Sequence, residues 1–191
     1  MNRYISDLHF GHKNIIKLDR RPFSSVEEME KELIRRWNNV VMKGDTTYIL
    51  GDFCWGKEPE WRRITPLLNG NKVLIRGNHD LKELSSETKK LFQDIKDYKE
   101  IKDCGRKVIL SHYPILLYKH SNDPSTYMLC GHVHDTKEND LLTEWRSELW
   151  RKNTSDSDNC GNIINVGCML SYMNYTPRTL DELSLAMFEN D

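Results

Sequence analysis

No apolar run in this chain approaches the roughly 20 residues that span a bilayer, so the sequence excludes a membrane-spanning helix. The opening residues, Met1-Asn2-Arg3-Tyr4-Ile5-Ser6-Asp7, lack the apolar stretch of a secretory signal. Cysteine is sparse and badly placed for cross-linking. Cys54, Cys104, Cys130, Cys160 and Cys168 are an odd number with no C-x-x-C pair. That pattern argues against a disulfide framework and for a reducing, cytoplasmic setting. Neither sign of charge is in excess: Lys+Arg total 28, Asp+Glu total 29, and the formal net charge is -1. A large non-specific nucleic-acid footprint needs a basic surplus, which is missing here, although a local basic patch stays open. Internal repeats and low-complexity segments are absent as well. What remains is a chain of 191 residues, 38% hydrophobic and 30% charged. That suits a single globular domain, residues 1–191, with a sizeable core.

The seven histidines matter for where they fall. Lys72-Val73-Leu74-Ile75-Arg76 reads as a short buried strand closed by Gly77-Asn78-His79-Asp80. A strand tip is where open α/β sheets place ligands. Four other apolar runs close in the same way. Tyr4-Ile5-Ser6 delivers Asp7-Leu8-His9, whose side chains at i and i+2 point to one side of an extended chain. Thr46 to Leu50 delivers Gly51-Asp52, Lys107 to Leu110 delivers Ser111-His112, and Thr126 to Cys130 delivers Gly131-His132-Val133-His134. Further strands are expected at Tyr98 to Cys104 and Ile163 to Gly167. Helices are expected from a Ser24 or Ser25 cap through Met29, Leu33, Ile34, Trp37 and Val41 to about Lys43-Gly44, through Trp61 to Leu68 with a break near Pro66, over residues 81–92, and from Thr179. His12 to Leu18 reads as a short helix. Residues 135–160 break the rhythm. Leu141, Leu142, Trp145 and Leu149 have amphipathic spacing, and Asn153 to Asn159 is loop-like. A packed surface helix is the expected reading, with a lid or dimer contact as the sharper one.

Taken singly, each strand-end motif has an ordinary explanation. A lone histidine is more often a core residue than a ligand, and an aspartate after glycine is usually a turn. Those explanations fail jointly, because chance would have to set all five at strand ends. Imidazoles, carboxylates and one amide suit a borderline divalent ion such as Mn, Fe, Co, Ni or Zn. The set is not one for calcium, nor for a structural zinc finger.

The five blocks D-x-H, GD, GNHD, H and GHxH, in this order over residues 7–134, make the chain resemble the calcineurin-like metallophosphoesterases. The wording around them, Ser6 to His12, Arg21-Pro22-Phe23, Tyr48 to Phe53 and Ile164 to Gly167, resembles small stand-alone bacterial and phage members. The resemblance implies an α/β fold: a four-layer αββα sandwich of two mixed β-sheets flanked by helices, with two metals at the strand ends. Carried over by position, Asp7, His9, Asp52 and His134 hold the first ion. Asp52, Asn78, His112 and His132 hold the second, with Asp52 bridging. Manganese is the leading candidate, with Fe, Ni, Co or Zn as alternatives.

The expected activity is hydrolysis of phosphate esters by metal-activated hydroxide. Two ions about 3.5–4 Å apart clamp a phosphoryl group and lower the pKa of a shared water. His79 is the candidate general acid, oriented by Asp80. His12 is a candidate phosphate contact, with the start of a short helix as the equal alternative, and Asn78 adds a neutral ligand oxygen. Arg20 and Arg21 read as solvated surface charge, Arg76 as structural, Cys54 as a small buried hydrophobe and His120 as exposed. A small phosphate ester is the expected partner, a phosphodiester or small nucleotide being favoured. A phosphomonoesterase and a metal-binding scaffold without catalysis are the alternatives. A nuclease on long strands lacks its basic groove. Oligomeric state is open, a homodimer included.

Overall fold

A computed structural model of the chain describes residues 1–152 and 161–189. Strand β1 (Asn2–Ile5) is followed by a single helical turn, α1 (Ile15–Leu18), and the long helix α2 (Val26–Val40). Ser25 caps α2, its hydroxyl accepting the Glu28 N–H at 3.2 Å. Met29, Leu33 and Trp37, one helical turn apart, are buried along a single stripe. The helix stops at Val40, short of the expected Lys43-Gly44. Val41 turns extended and is itself buried, and the Asp45 carboxylate then takes the Met42 N–H at 3.0 Å.

Next come β2 (Thr46–Ile49), α3 (Glu58–Ile64) with a 3₁₀ turn at Thr65–Leu67, and β3 (Asn71–Ile75). Pro66 sits in that turn, as the break near Pro66 anticipates. Residues 81–92 contain only α4 (Ser86–Lys89) rather than a full helix. Ser85 is the reason. Its hydroxyl caps α4 through Thr88 N at 3.3 Å, and its N–H donates to Glu58, so the chain before it is held as turn. Strand β4 (Asp94–Lys96), three residues with one apolar side chain, carries no strand pattern in the sequence. The rest is β5 (Tyr98–Asp103), β6 (Arg106–Ser111), β7 (Thr126–Cys130), α5 (Lys137–Lys152), β8 (Asn162–Asn165) and α6 (Leu180–Glu189). No helix among the described residues is long and apolar enough to cross a membrane.

The strands form two four-stranded sheets, β1-β2-β3-β4 and β5-β6-β7-β8, flanked by helices. The first is parallel throughout, and the second is mixed, with β5 antiparallel to β6 and the other pairs parallel. Parallel strands buried on both faces need continuous apolar runs, and β2, β3, β6 and β7 supply them. One core cluster draws on both sheets, with Ile5, Ile49 and Leu74 from the first and Val108, Leu129 and Ile164 from the second. The sheets are stitched together beside the strand ends, where Ser6 N donates to Val166 O at 2.9 Å and Cys168 N to Ser6 O at 3.0 Å. The C-terminal ends of β1, β2, β3, β6 and β7 therefore meet in one place.

Candidate metal centre

Three of the five strand ends, after β1, β2 and β7, turn sharply where they deliver their candidate ligands. Asp7, His9, Asp52, His132 and His134 all have left-handed backbone, with φ of 56°, 51°, 52°, 72° and 48°. An L-residue pays for that conformation, and such strain gathers where side chains must be aimed. Two glycines mark how closely the turns approach. A Cβ on Gly77 would lie 2.2 Å from the Asp52 Oδ1 atom, and one on Gly131 would lie 2.6 Å from the Asp7 Oδ2 atom.

Ligand atoms of Asp7, His9, Asp52 and His134 lie within 4.8 Å of one another. His9 Nε2 is 3.5 Å from Asp52 Oδ2, and His134 Nε2 is 3.6 Å from Asp7 Oδ1. His9 Nε2 is buried and has no hydrogen-bond partner. A buried polar atom without a partner is costly, and here it faces two carboxylates. Burial, then the Arg21 charge, pulls the His9 pKa down, which keeps the ring neutral and its lone pair available. Burial pushes the Asp7 carboxyl up, against the pull of His134 and His112. A divalent cation would favour the ionised Asp7 carboxylate and would take the lone pair of neutral His9, so the donor set fits one.

The second set lies on the other side of Asp52. Asn78 Oδ1 is 2.9 Å from His112 Nε2 and 3.0 Å from His132 Nδ1. His112 Nδ1 donates to the Leu50 carbonyl at 2.8 Å. In neutral His112, Nε2 is then a bare lone pair facing the Asn78 oxygen, an arrangement that calls for a proton or a cation between them. Asp52 Oδ1 is 3.7 Å from His112 Nε2, so Asp52 turns one oxygen toward each set.

Behind the ligands lie supports that the sequence reading missed or misassigned. Arg21 is buried rather than solvated. Its guanidinium donates to the carbonyls of Asp7 (2.7 Å) and Leu8 (2.9 Å) and to Asp19 Oδ2. The other Asp19 oxygen is 2.7 Å from His134 Nδ1. Burial alone would lower the His134 pKa, but the bond to Asp19 and the charge of Asp7 outweigh it and raise it. Cys168 Sγ donates to the Asp7 carbonyl at 3.1 Å.

Asp80 also departs from expectation. Its buried carboxylate accepts the N–H groups of Asp52 (2.9 Å), Phe53 (2.8 Å) and Gly77 (2.8 Å), pinning the β2 and β3 turns together rather than orienting the His79 ring. His79 is exposed, its ring centroid 5.6 Å from that of His9. Its N–H donates to Asp52 Oδ1 at 2.9 Å. His12 stacks on Trp55, with centroids 4.1 Å apart and planes 9° apart. Cys54 is buried and His120 exposed, as read, and Arg76 pairs with Asp97 at 3.1 Å. Helix α5 packs on β8, and Asn165 Nδ2 joins the two by donating to His134 O and Asn139 Oδ1. The loop expected at Asn153 to Asn159 lies outside the described residues.

Residues 4–189 match the family model described as calcineurin-like phosphoesterase. The chain is 42% identical over 132 residues to an uncharacterized protein of Methanocaldococcus jannaschii, covering 68% of this chain and 67% of that one. It is 31% identical over 161 residues to the gene 66 protein of Mycobacterium phage L5, covering 69% and 76%. Among solved structures it is similar to a protein of unknown function from Aquifex aeolicus, with a TM-score of 0.69, 28% identity and coverage of 97% and 98%.

Proposed function

The chain belongs to the calcineurin-like phosphoesterase family, and from that premise we propose that it is a dinuclear metal-dependent phosphoesterase favouring phosphodiester or small nucleotide substrates. The observation that carries this reading is Asp52, with one carboxylate oxygen toward His9 and the other toward His112. A carboxylate can bind two ions at once, which an imidazole cannot.

Asp7, His9, Asp52 and His134 would hold one ion. Asp52, Asn78, His112 and His132 would hold the other. Manganese leads among Mn, Fe, Ni, Co and Zn. Bound divalent ions would supply positive charge to the phosphoryl oxygens and a more acidic water as nucleophile. The chain's own residues do the rest. Asn78 contributes an oxygen without a charge, so the site stays positive enough to attract a phosphate. His79, exposed at the rim and tied to Asp52 through its backbone N–H, would give a proton to the leaving oxygen. Asp80 keeps that turn in place by holding three backbone N–H groups. The free Cys54, Cys104, Cys130 and Cys168 suit a cytoplasmic setting.

The test is hydrolysis of bis-p-nitrophenyl phosphate beside p-nitrophenyl phosphate. The protein is stripped and then reloaded with Mn, Ni, Co, Zn or Mg, with Asp52→Ala as control. Metal-dependent turnover that vanishes in the control establishes the enzyme, and the ratio of the two substrates separates diesterase from monoesterase. Confirmed metal binding without turnover would leave a metal-binding scaffold.

A further inference from the structure

Two exposed aromatic rings flank the metal centre, and the proposed hydrolysis does not use either. Trp55 follows the β2 turn and is 41% exposed. Its indole is stacked on His12 and lies 5.2 Å, centroid to centroid, from the His79 ring. Tyr113 follows His112 and is 50% exposed. Its ring stands edge to face with His132 at 4.5 Å. One ring thus belongs to the His9 and His79 side of Asp52, the other to the His112 and His132 side.

Trp55 is stacked on His12 through one face and Tyr113 stands edge to face with His132, so site histidines hold both rings beside the centre. Such preorganised rings are what nucleobases stack on, since every base has a π face. The geometry points to a nucleoside phosphodiester as the substrate class: the phosphate at Asp52, the leaving nucleoside's base against Trp55 beside His79, and the other base against Tyr113. This rests on the phosphoesterase reading and narrows it. The near-neutral net charge of -1 favours a short ligand of one or two nucleotides over a long strand. In the reaction, water oxygen bonds to phosphorus, the P–O bond to one nucleoside breaks, and the leaving oxygen takes its proton from His79.

The experiment compares thymidylyl-3′,5′-thymidine with glycerophosphoglycerol, a diester of equal charge without a ring, on the metal-loaded protein. In parallel, quenching of tryptophan fluorescence is titrated with adenosine monophosphate, glycerol phosphate serving as control. Wild type should prefer the nucleoside diester. Trp55→Ala should lower that preference, as the ratio of kcat/KM values, roughly tenfold, the effect expected of one lost stacking partner. Trp55→Phe should restore most of it, and Tyr113→Ala should lose a second share. Adenosine monophosphate should quench wild type and not Trp55→Ala. The inference is overturned if wild type shows no preference, or if Trp55→Ala depresses both diesters alike. If neither diester turns over, the fluorescence decides separately. Quenching lost in Trp55→Ala keeps the base platform while the phosphoesterase reading fails, and no quenching at all sinks both.

Discussion

Asp7 and His9 are 0% and 2% exposed and His134 is half-buried, whereas on the far side of Asp52 only His112 is buried, Asn78 being exposed and His132 half-buried. The two sides also differ in what stands behind the ligands. Asp7 is held by Ser6 Oγ at 2.7 Å and His134 by Asp19 at 2.7 Å, while Arg21 ties Asp19 to the Asp7 and Leu8 carbonyls. His112 rests on one backbone carbonyl, Leu50, while among the described residues the Asn78 side chain meets only the His112 and His132 rings. A ligand locked by a hydrogen-bonded neighbour keeps its tautomer and aim, and loss of such a neighbour typically weakens metal sites. On the proposed dinuclear reading, the inner half would hold an ion tightly and the outer half would stay open to substrate. Affinities for two ions should be unequal, the inner one the tighter.

Removing the shared residue erases the comparison and has the largest effect. Asp52→Ala should bind neither ion and show only the turnover of metal-stripped protein, measured by elemental analysis and bis-p-nitrophenyl phosphate hydrolysis. Retained metal at one half would mean that Asp52 is not shared. His79→Ala leaves both halves intact and should keep its metal while turnover falls roughly 10²–10⁴-fold. The loss should be deeper for alkyl esters than for nitrophenyl esters, because a poor leaving group needs the proton most. Equal losses on both would assign His79 to binding rather than proton transfer.

Asp19→Asn separates the halves. It keeps the shape but loses the charge facing His134 Nδ1 and the Arg21 partner. The inner ion should bind about 10–100-fold more weakly by calorimetric titration, with the outer one unchanged. Equal weakening of both would remove the distinction drawn between the two halves.

The candidate ligands stand out in the sequence because each closes an apolar run: Asp52 after Ile49-Leu50, Asn78 after Leu74-Ile75, His132 after Leu129-Cys130. Buried parallel strands need such runs, so strand ends show in the pattern before any contact is known. The supports were not legible. Asp19-Arg20-Arg21 has the composition of a solvated loop, and only a partner 115 residues away, His134, makes Asp19 part of the site. Asp80 sits beside His79 in sequence, which suggests a pair, but its carboxylate faces the backbone of another strand's turn. Strand β4 has only its parallel pairing with β3 to define it, and residues 81–92 lose their helix to a Ser85–Glu58 contact that spans 27 residues. Local pattern carried the ladder ends, and long-range polar contacts decided what lay behind them.

The smallest effect guards the contrast between the halves. Ser25 caps α2, with no contact to any ligand, and Ser25→Ala should cost about 1 kcal/mol. For a domain of this size that is a fall in Tm of roughly 2–4 °C. Metal affinity should not move, because the cap stabilises the whole fold and leaves the aim of His134 alone. Thermal unfolding and calorimetry on Ser25→Ala and Asp19→Asn together then separate two causes that one variant would confuse. If the cap variant also weakens the inner ion, the Asp19→Asn loss reports general stability, and the special bracing of the inner half falls with it.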